Sequence, residues 1–476
     1  MKNIMKYFLP LALVAVLFSA CEDELELTPY DALDENEALT TYNGLKLSVT
    51  GVYDAIQDDQ SYGQDYIQVN EILTNDITFD GSFTSYREIA DKDPLTNNVE
   101  ATGLWIRAYD GINLANKILY AMDNYEINDP AYDRNKDKMR GEMLFIRGIL
   151  HWQAVSFFAQ PPGYTADNSH PGVPIMTNAT MVPEDAEYYP ERNTVGAVYD
   201  QIVDDLTTAA ELLPDSPADN PKRAVSGSAY GFLSKVYLML GEDQLAADAA
   251  NEVLTSEFYM LNNSPVDNFN LKNSPETVFE IQMTESDNLS NQNNALANYW
   301  TAAERDEIHI PVDVVNRYSD DDVRKTDFFD FRTIEQEDGT LDTLWYSMKW
   351  TDIYENVPIL RLPEVMLNRA EALANLNGND ATAKDLVNQI RARAGLEDID
   401  PANGEELMEA IKHERKLELV HEGIRVNDLR RWRSENIGNS NATNQFTVPW
   451  NADNMILPIP QREMDVNDNL SQNPGY

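Results

Sequence analysis

The side chains of this sequence that could act chemically are plentiful in type but sparse in pattern. Five histidines occur, His151, His170, His309, His413 and His421, and none stands at metal-ligand spacing to another with a matching carboxylate. His413 and His421 are eight residues apart, about two helical turns, so they could share one helix face. Surface roles suit them better than a metal. The run "SDDDVR", Ser319 to Arg324, clusters acids without the alternating Asp ligands and glycine of a calcium loop. It leaves a weak surface calcium as the one cofactor expectation; otherwise none is expected. No phosphate-binding glycine loop, GxSxG elbow or HExxH pair is present. With 81 Asp and Glu, some pair always falls at glycosidase separation, and nothing in the sequence prefers one. The expectation is therefore no catalytic residue and no enzyme.

The densest charge pattern runs from Glu405 to Trp432, "EELMEAIKHERKLELVHEGIRVNDLRRW". Glu414, Arg415, Glu418, Glu422, Arg425, Asp428 and Arg431 recur near steps of three and four. Such spacing predicts one long helix with mutual ion pairs. Arg–carboxylate forks can also pin loops to a helix. The expected role is structural.

Cys21 is the only cysteine in 476 residues, which excludes an intramolecular disulfide. Lys2 and Lys6, the mostly apolar Tyr7 to Phe18, and the small Ser19 and Ala20 precede it. These are the three parts of a secretory signal. The apolar part is too short for a bilayer, which needs about 20 residues. Cys21 is then either a bystander of a signal cut elsewhere or a lipidation site. The small-small-Cys ending resembles a bacterial lipobox, although Phe18 stands where Leu is usual. The expectation is a signal peptide over 1–20, lipid on Cys21, and an acidic tether over 21–35. The net charge of −45 repels phosphate backbones and anionic membrane surfaces, so nucleic acid is not an expected partner.

The elements that must position any site are mostly helical. Trp105, Tyr109, Ile112, Leu119 and Met122 form one apolar stripe. Met139, Met143, Ile146, Leu150, Ala154 and Phe157 form a second, and Val195, Val198, Ile202, Leu206, Ala209 and Leu213 a third. Pro161 and Pro214 close two of them. "AYGFLSKVYLMLGEDQLAADAANEVL", from Ala229, has the small/large spacing of a tetratricopeptide repeat, and Gly241 permits the turn. "AEALANLNGNDATAKDLVNQI", from Ala370, repeats it around Gly378. Between 257 and 358, Asn, Asp, Ser and Pro interrupt short runs such as "TVFEIQM" and "TLWYSMKW", which predicts loop with a few short strands. The fold class is all-α: a tetratricopeptide-like helix-pair scaffold carrying long irregular loops and a few short strands on one face. The expected halves are 36–256 and 257–476, with the loop-rich insert at 257–358.

Six motifs in order give the sequence a family likeness. They are "LWIRAYDGINLANKIL" from Leu104, "RGEMLFIRGILHW" from Arg140, "PILRLPEVMLNRAEAL" from Pro358, "IRARAGL" from Ile390, "ERKLELVHEGIRVNDLRRW" from Glu414 and "LPIPQREMDVNDNLSQNPGY" from Leu457. With "GVPI" at 172 they resemble the SusD/RagB family of Bacteroidetes outer-membrane lipoproteins. "FFAQPPGYTADNSH" replaces the short glycine-containing turn expected before "GVPI". The resemblance implies four tetratricopeptide-like helix pairs and an irregular face. It implies an outer-membrane protein, lipid-anchored and facing the cell exterior, that acts as the lid of a SusC-like TonB-dependent transporter and captures an oligosaccharide. A peptide-capturing member, or a surface glycosidase, is the alternative. The acids Glu22, Asp23 and Glu24 then resemble the signal that sends such lipoproteins to the outer face.

A sugar needs an aromatic plate for its C–H face and Asp, Asn, Arg or Gln for its hydroxyl rim. Trp105 and Trp432 fall on helix stripes and are excluded as plates. Three loop clusters qualify. "NDITFDGSFTSYRE" offers Asp76, Phe83, Tyr86 and Arg87; "NYWTAAERDE" offers Tyr299, Trp300 and Arg305; "LWYSMKWTDIY" offers Trp345, Tyr346 and Trp350. If the last run is a strand, Tyr346 and Trp350 share a face. The family's site draws on loops corresponding to the first two clusters, which favours Tyr86 and Trp300 as exposed plates.

Overall fold

The computed structural model describes residues 38–182, 185, 187–218, 222–289, 293–335, 338–437 and 447–476. Cys21, the leader and the acidic tether lie outside the described residues. The scaffold is built from helices of 6 to 29 residues. They are α1 (Tyr42–Gln57), α2 (Asp65–Ile72), α3 (Thr84–Ala90), α4 (Val99–Asn124), α5 (Pro130–Phe158), α6 (Val195–Leu212), α7 (Ser226–Leu240) and α8 (Asp243–Leu254). After the short α9 (Leu296–Trp300) follow α10 (Leu362–Asn377), α11 (Ala381–Arg393), α12 (Gly404–Glu418), α13 (Arg425–Arg431) and α14 (Gln461–Val466).

Local chemistry sets the helix ends. The Asn98 side chain accepts from the Ala101 amide at 3.0 Å to open α4, and Asp129, followed by Pro130, opens α5. Gly241 (φ +76°, ψ 20°) closes α7 in the left-handed conformation, and Gly378 (φ +70°) closes α10; both positive φ values suit glycine. The helical hairpins α7–α8 and α10–α11 therefore turn where the small/large spacing predicts. Ala246 and Ala247 of α8 pack against Ala372 of α10, so the two hairpins stack through small residues. The three apolar stripes line one core that runs from Leu39 to Leu470. Trp152 and Phe145 are fully buried in it. A large aromatic side chain buries about 150–250 Å², which contributes about 4–6 kcal/mol by apolar transfer.

The strands are short and antiparallel: β1 (Thr78–Phe79) with β3 (Ile308–His309), β2 (Thr277–Ile281) with β6 (Val357–Arg361), and β4 (Phe329–Glu335) with β5 (Leu341–Ser347). "TVFEIQM" and "TLWYSMKW" supply β2 and β5. Trp350 falls beyond the end of β5, so it does not share that strand face with Tyr346.

The helix predicted over 405–432 is interrupted. It stops at Glu418 and resumes at Arg425, with His421 (φ +62°) and Gly423 (φ +72°) in the break. The Gly423 amide donates to the Glu71 carboxylate at 2.7 Å, and a Cβ at Gly423 would stand 2.9 Å from the Ile67 backbone. Tertiary contact with α2 thus replaces helical continuity. The charges also find more distant partners than expected. Glu418 accepts from Arg361 (2.6 Å), Arg324 (3.0 Å) and Arg393, while Glu422 accepts from Arg361 (2.7 Å) and Lys349 (2.6 Å). Burial would raise the Glu418 carboxyl, but the three guanidinium groups hold it far below the usual carboxylate range. This network ties the irregular face to the helices.

Candidate functional site

The two loops predicted to carry ligand contacts do meet. The β1–β3 pair joins them: Thr78 faces His309, and the Asp80 amide donates to the Glu307 carbonyl at 2.8 Å. The second loop is folded back on α9, with Arg305 N to Asn298 O at 2.8 Å and Glu307 N to Tyr299 O at 3.1 Å. These bonds set Arg305 against two rings. Its guanidinium carbon lies 4.4 Å from the Phe83 ring centre and 4.3 Å from that of Tyr299. One guanidinium nitrogen reaches both Glu307 carboxylate oxygens at 3.0 Å, which fixes the stack. Phe83 is 39% exposed.

Polar groups surround this stack. Asn294 accepts from the Tyr299 hydroxyl at 3.3 Å and donates to Asp59. Arg107 of α4 pairs with Asp58 at 3.2 Å. Gln60 lies across α4 at Gly103, where a Cβ would come within 2.2 Å of its side-chain amide carbon. The glycine is therefore needed for that approach. Asp58, Asp59, Gln60, Asn294 and Arg107 give a mixed rim of donors and acceptors beside the exposed Phe83, the pairing of plate and rim that a pyranose requires.

Several named residues serve differently from the expectation. Trp300 is fully buried against His421, with ring centres 5.3 Å apart, so it is no exposed plate. The break at 419–424 places His421 over it, a contact that local spacing does not announce. Tyr86 is 2% exposed. Its hydroxyl donates to Asp65 at 2.6 Å and accepts from Gln64 at 2.8 Å, and its ring meets Tyr299 edge-on at 5.8 Å. Tyr86 and the equally buried Tyr299 therefore support the plate from beneath. Asp76 is buried against Arg317 at 2.8 Å, and its carboxyl sits below the ordinary range because Arg317 and Arg425 outweigh its burial. Trp350 is buried, its indole N–H donating to the His421 carbonyl at 2.9 Å. Arg87 is exposed and donates to the Ser82 carbonyl at 3.2 Å. Trp345 is half-buried on the β4–β5 hairpin, 5.0 Å from the exposed ring of Phe331, and its carbonyl accepts from the Ile310 amide at 2.8 Å, so the third cluster borders β3 and the second loop.

Beneath the stack, Asp65 and Glu100 carry raised carboxyls. Burial is the main cause at both, with Glu100 adding to Asp65. Asp65 accepts from Tyr86, and Glu100 accepts from Ser85 at 2.6 Å. In the acidic run, Asp320 pairs with Lys325 at 2.7 Å and Asp322 with Arg324 at 2.8 Å. Among the described residues, no group of three or more His, Cys, Asp or Glu is arranged to hold a metal ion. The rim residues Asp58 to Gln60 and Asn294 escaped sequence reasoning, because their convergence depends on contacts more than 200 residues apart, as between Asp59 and Asn294.

The chain matches two family models. One, described as "SusD family", covers residues 345–476, and the other, "Starch-binding associating with outer membrane", covers residues 25–238. The chain is 25% identical to SusD-like protein P2 of Formosa agariphila, over 99% of this chain and 100% of that protein. It is 23% identical to SusD-like protein P38 of the same organism, over 100% and 99%. Crystal structures of SusD superfamily proteins share the fold. One from Bacteroides vulgatus has a TM-score of 0.80 at 22% identity, covering 92% of this chain and 99% of that one. One from Bacteroides thetaiotaomicron has a TM-score of 0.78 at 23% identity, covering 91% and 100%.

Proposed function

The chain belongs to the SusD/RagB family, and from that membership we propose that it captures oligosaccharide at the cell surface as the lid of a SusC-like TonB-dependent transporter. The family is one of glycan-binding outer-membrane proteins. The observation that carries the reading is the stack of Phe83, Arg305 and Tyr299 beside the Asp58–Gln60 and Asn294 rim. A pyranose laid on Phe83 meets an apolar face there, while the rim residues offer partners to its hydroxyls. Binding without catalysis is the proposed activity. Asp65 and Glu100 are occupied by hydrogen bonds within the fold, which supports a positioning role for both.

No helix among the described residues is long and apolar enough to cross a membrane. Attachment through lipid on Cys21 is proposed, and Cys21→Ala should release the protein from the membrane fraction of its cells. Retention there would contradict the anchor. The function itself is tested by isothermal titration against a panel of polysaccharides, together with mass spectrometry of any peptide carried through purification. Binding of at least one glycan, weakened by Phe83→Ala, is expected. Bound peptide with no glycan affinity would overturn the glycan reading in favour of peptide capture.

A further inference from the structure

Farther along α4 lies a second concavity that the proposed ligand face does not use. It has room for about 320 Å³, at the small end of the range of about 300–1,000 Å³ for small-molecule sites. Tyr188 and Tyr189 form one wall, α4 contributes Tyr109 and Asp110, and the C-terminal segment contributes Glu463 and Asn467. Tyr188 is 62% exposed and Tyr189 49%. Their backbone is nevertheless fixed. Asn469 donates to the Tyr189 carbonyl at 2.8 Å, and Asn467 donates to the Pro190 carbonyl at 2.9 Å. The Tyr109 hydroxyl donates to the Pro174 carbonyl at 2.8 Å, which holds its ring in the floor. The fold thus fixes a strap whose two aromatic side chains it leaves largely uncovered. Exposed aromatic rings held on an ordered backbone offer contact area at low entropic cost.

The rim of this pocket is polar. Asp110 and Glu463 are acceptors, and Arg462, 3.3 Å from Glu463, is a donor. Plates, acceptors and a donor in one concavity suit a hydroxylated ring, and two rim acids select a neutral one over a uronate. The two places are also connected. Arg107 reaches Asp58 on the first rim at 3.2 Å and Asp110 on the second at 3.7 Å. Gly103, beneath Gln60, and Asp110 are seven residues apart, about 10 Å along the helix axis. A single extended chain can therefore lie over both.

We propose that the Tyr188–Tyr189 pocket is a second saccharide subsite, which holds a neutral pyranose unit of the same chain whose other units occupy the Phe83 face. The inference rests on the glycan-capture reading above and adds to it a preference for long, neutral chains. Two linked contacts on one chain raise affinity through effective concentration without strengthening either contact.

The test compares the whole protein with a Tyr188→Ala/Tyr189→Ala variant. Titrations use starch, xylan and mannan and their disaccharides. Both tyrosines are exposed, so the variant should keep the wild-type melting temperature. The expected result is a fall of about tenfold or more in affinity for the polysaccharide that binds, with affinity for its disaccharide unchanged. Unchanged affinity for the polysaccharide overturns the subsite alone. So does an equal loss for polysaccharide and disaccharide, or a loss of transporter association with glycan affinity intact, which assigns the patch to a protein partner. If the wild type binds a disaccharide and gains nothing from the longer chain, the subsite again fails while glycan capture stands. If the wild type binds no glycan of any length, both fail together.

Discussion

Arg305 is the residue whose removal should most selectively damage ligand capture. It stands 4.4 Å from the Phe83 ring centre and 4.3 Å from that of Tyr299, with a side chain only 14% exposed. A cation over an aromatic face contributes about 0.5–1 kcal/mol at a partly exposed site. Two such contacts amount to about 1–2 kcal/mol of positional order in the plate. Arg305→Ala should therefore raise the Kd for a bound glycan by about 5–30-fold, at about 1.4 kcal/mol per tenfold. Arg305→Lys should fall between wild type and Arg305→Ala, because an ammonium keeps the charge but loses the planar stack on the two rings. Isothermal titration measures the Kd, with circular dichroism melting as the check on folding. Phe83→Ala should cost less in the Arg305→Ala background than in the wild type, since each acts through the other. A Kd within twofold of wild type in a correctly folded Arg305→Ala protein would refute the stacked plate as the binding surface.

Three further outcomes follow from the same geometry. Glu418→Gln leaves Arg324, Arg361 and Arg393 short of a shared carboxylate in a buried network. Urea unfolding should show a loss of about 3–5 kcal/mol, and a loss below about 1 kcal/mol would contradict the assigned role. His309 touches a carboxylate through each ring nitrogen, Asp80 at 2.9 Å and Asp306 at 3.0 Å, which only the doubly protonated ring can satisfy with two donors. Burial lowers its pKa, but the bonds to Asp80 and Asp306 outweigh that and raise it. The stabilisation is complete below the unfolded value of about 6.5 and is lost as pH rises through the higher folded value. The melting temperature of wild type relative to His309→Ala should therefore shrink above about pH 6.5; a difference that grows with pH would contradict it. Trp300→Phe should lower stability without altering glycan Kd by more than about threefold, since the ring is fully buried and its Nε1 makes no hydrogen bond among the described residues. A large Kd change at unchanged stability would return Trp300 to the ligand face.

The scaffold was legible because its signals are local. Small residues at helical spacing and glycines at 241 and 378 define the hairpins within a few turns of chain, and positive φ at both glycines follows from the turn. Exposure was not legible. Trp300 and Phe83 both occupy polar, interrupted stretches, yet one is sealed by His421 and the other faces outward. The sealing depends on Gly423 pressing against Ile67, a contact between segments over 350 residues apart. The same reason explains the helix break after Glu418, where Arg361 and Lys349 donate to the backbone carbonyls of Glu418 and Val420, and Glu71 of α2 accepts from the Gly423 amide, in place of continued helical hydrogen bonds. Charge spacing revealed an ion-pair helix but not that its partners would come from Arg324, Arg361 and Arg393.

The most direct test of ligand capture is a crystal structure with an oligosaccharide from the polysaccharide that binds in titration. The expected complex has a pyranose ring laid on Phe83, with hydroxyls bonded to members of the rim formed by Asp58, Asp59, Gln60, Asn294 and Arg107. A well-ordered ligand that leaves Phe83 and this rim untouched would contradict it.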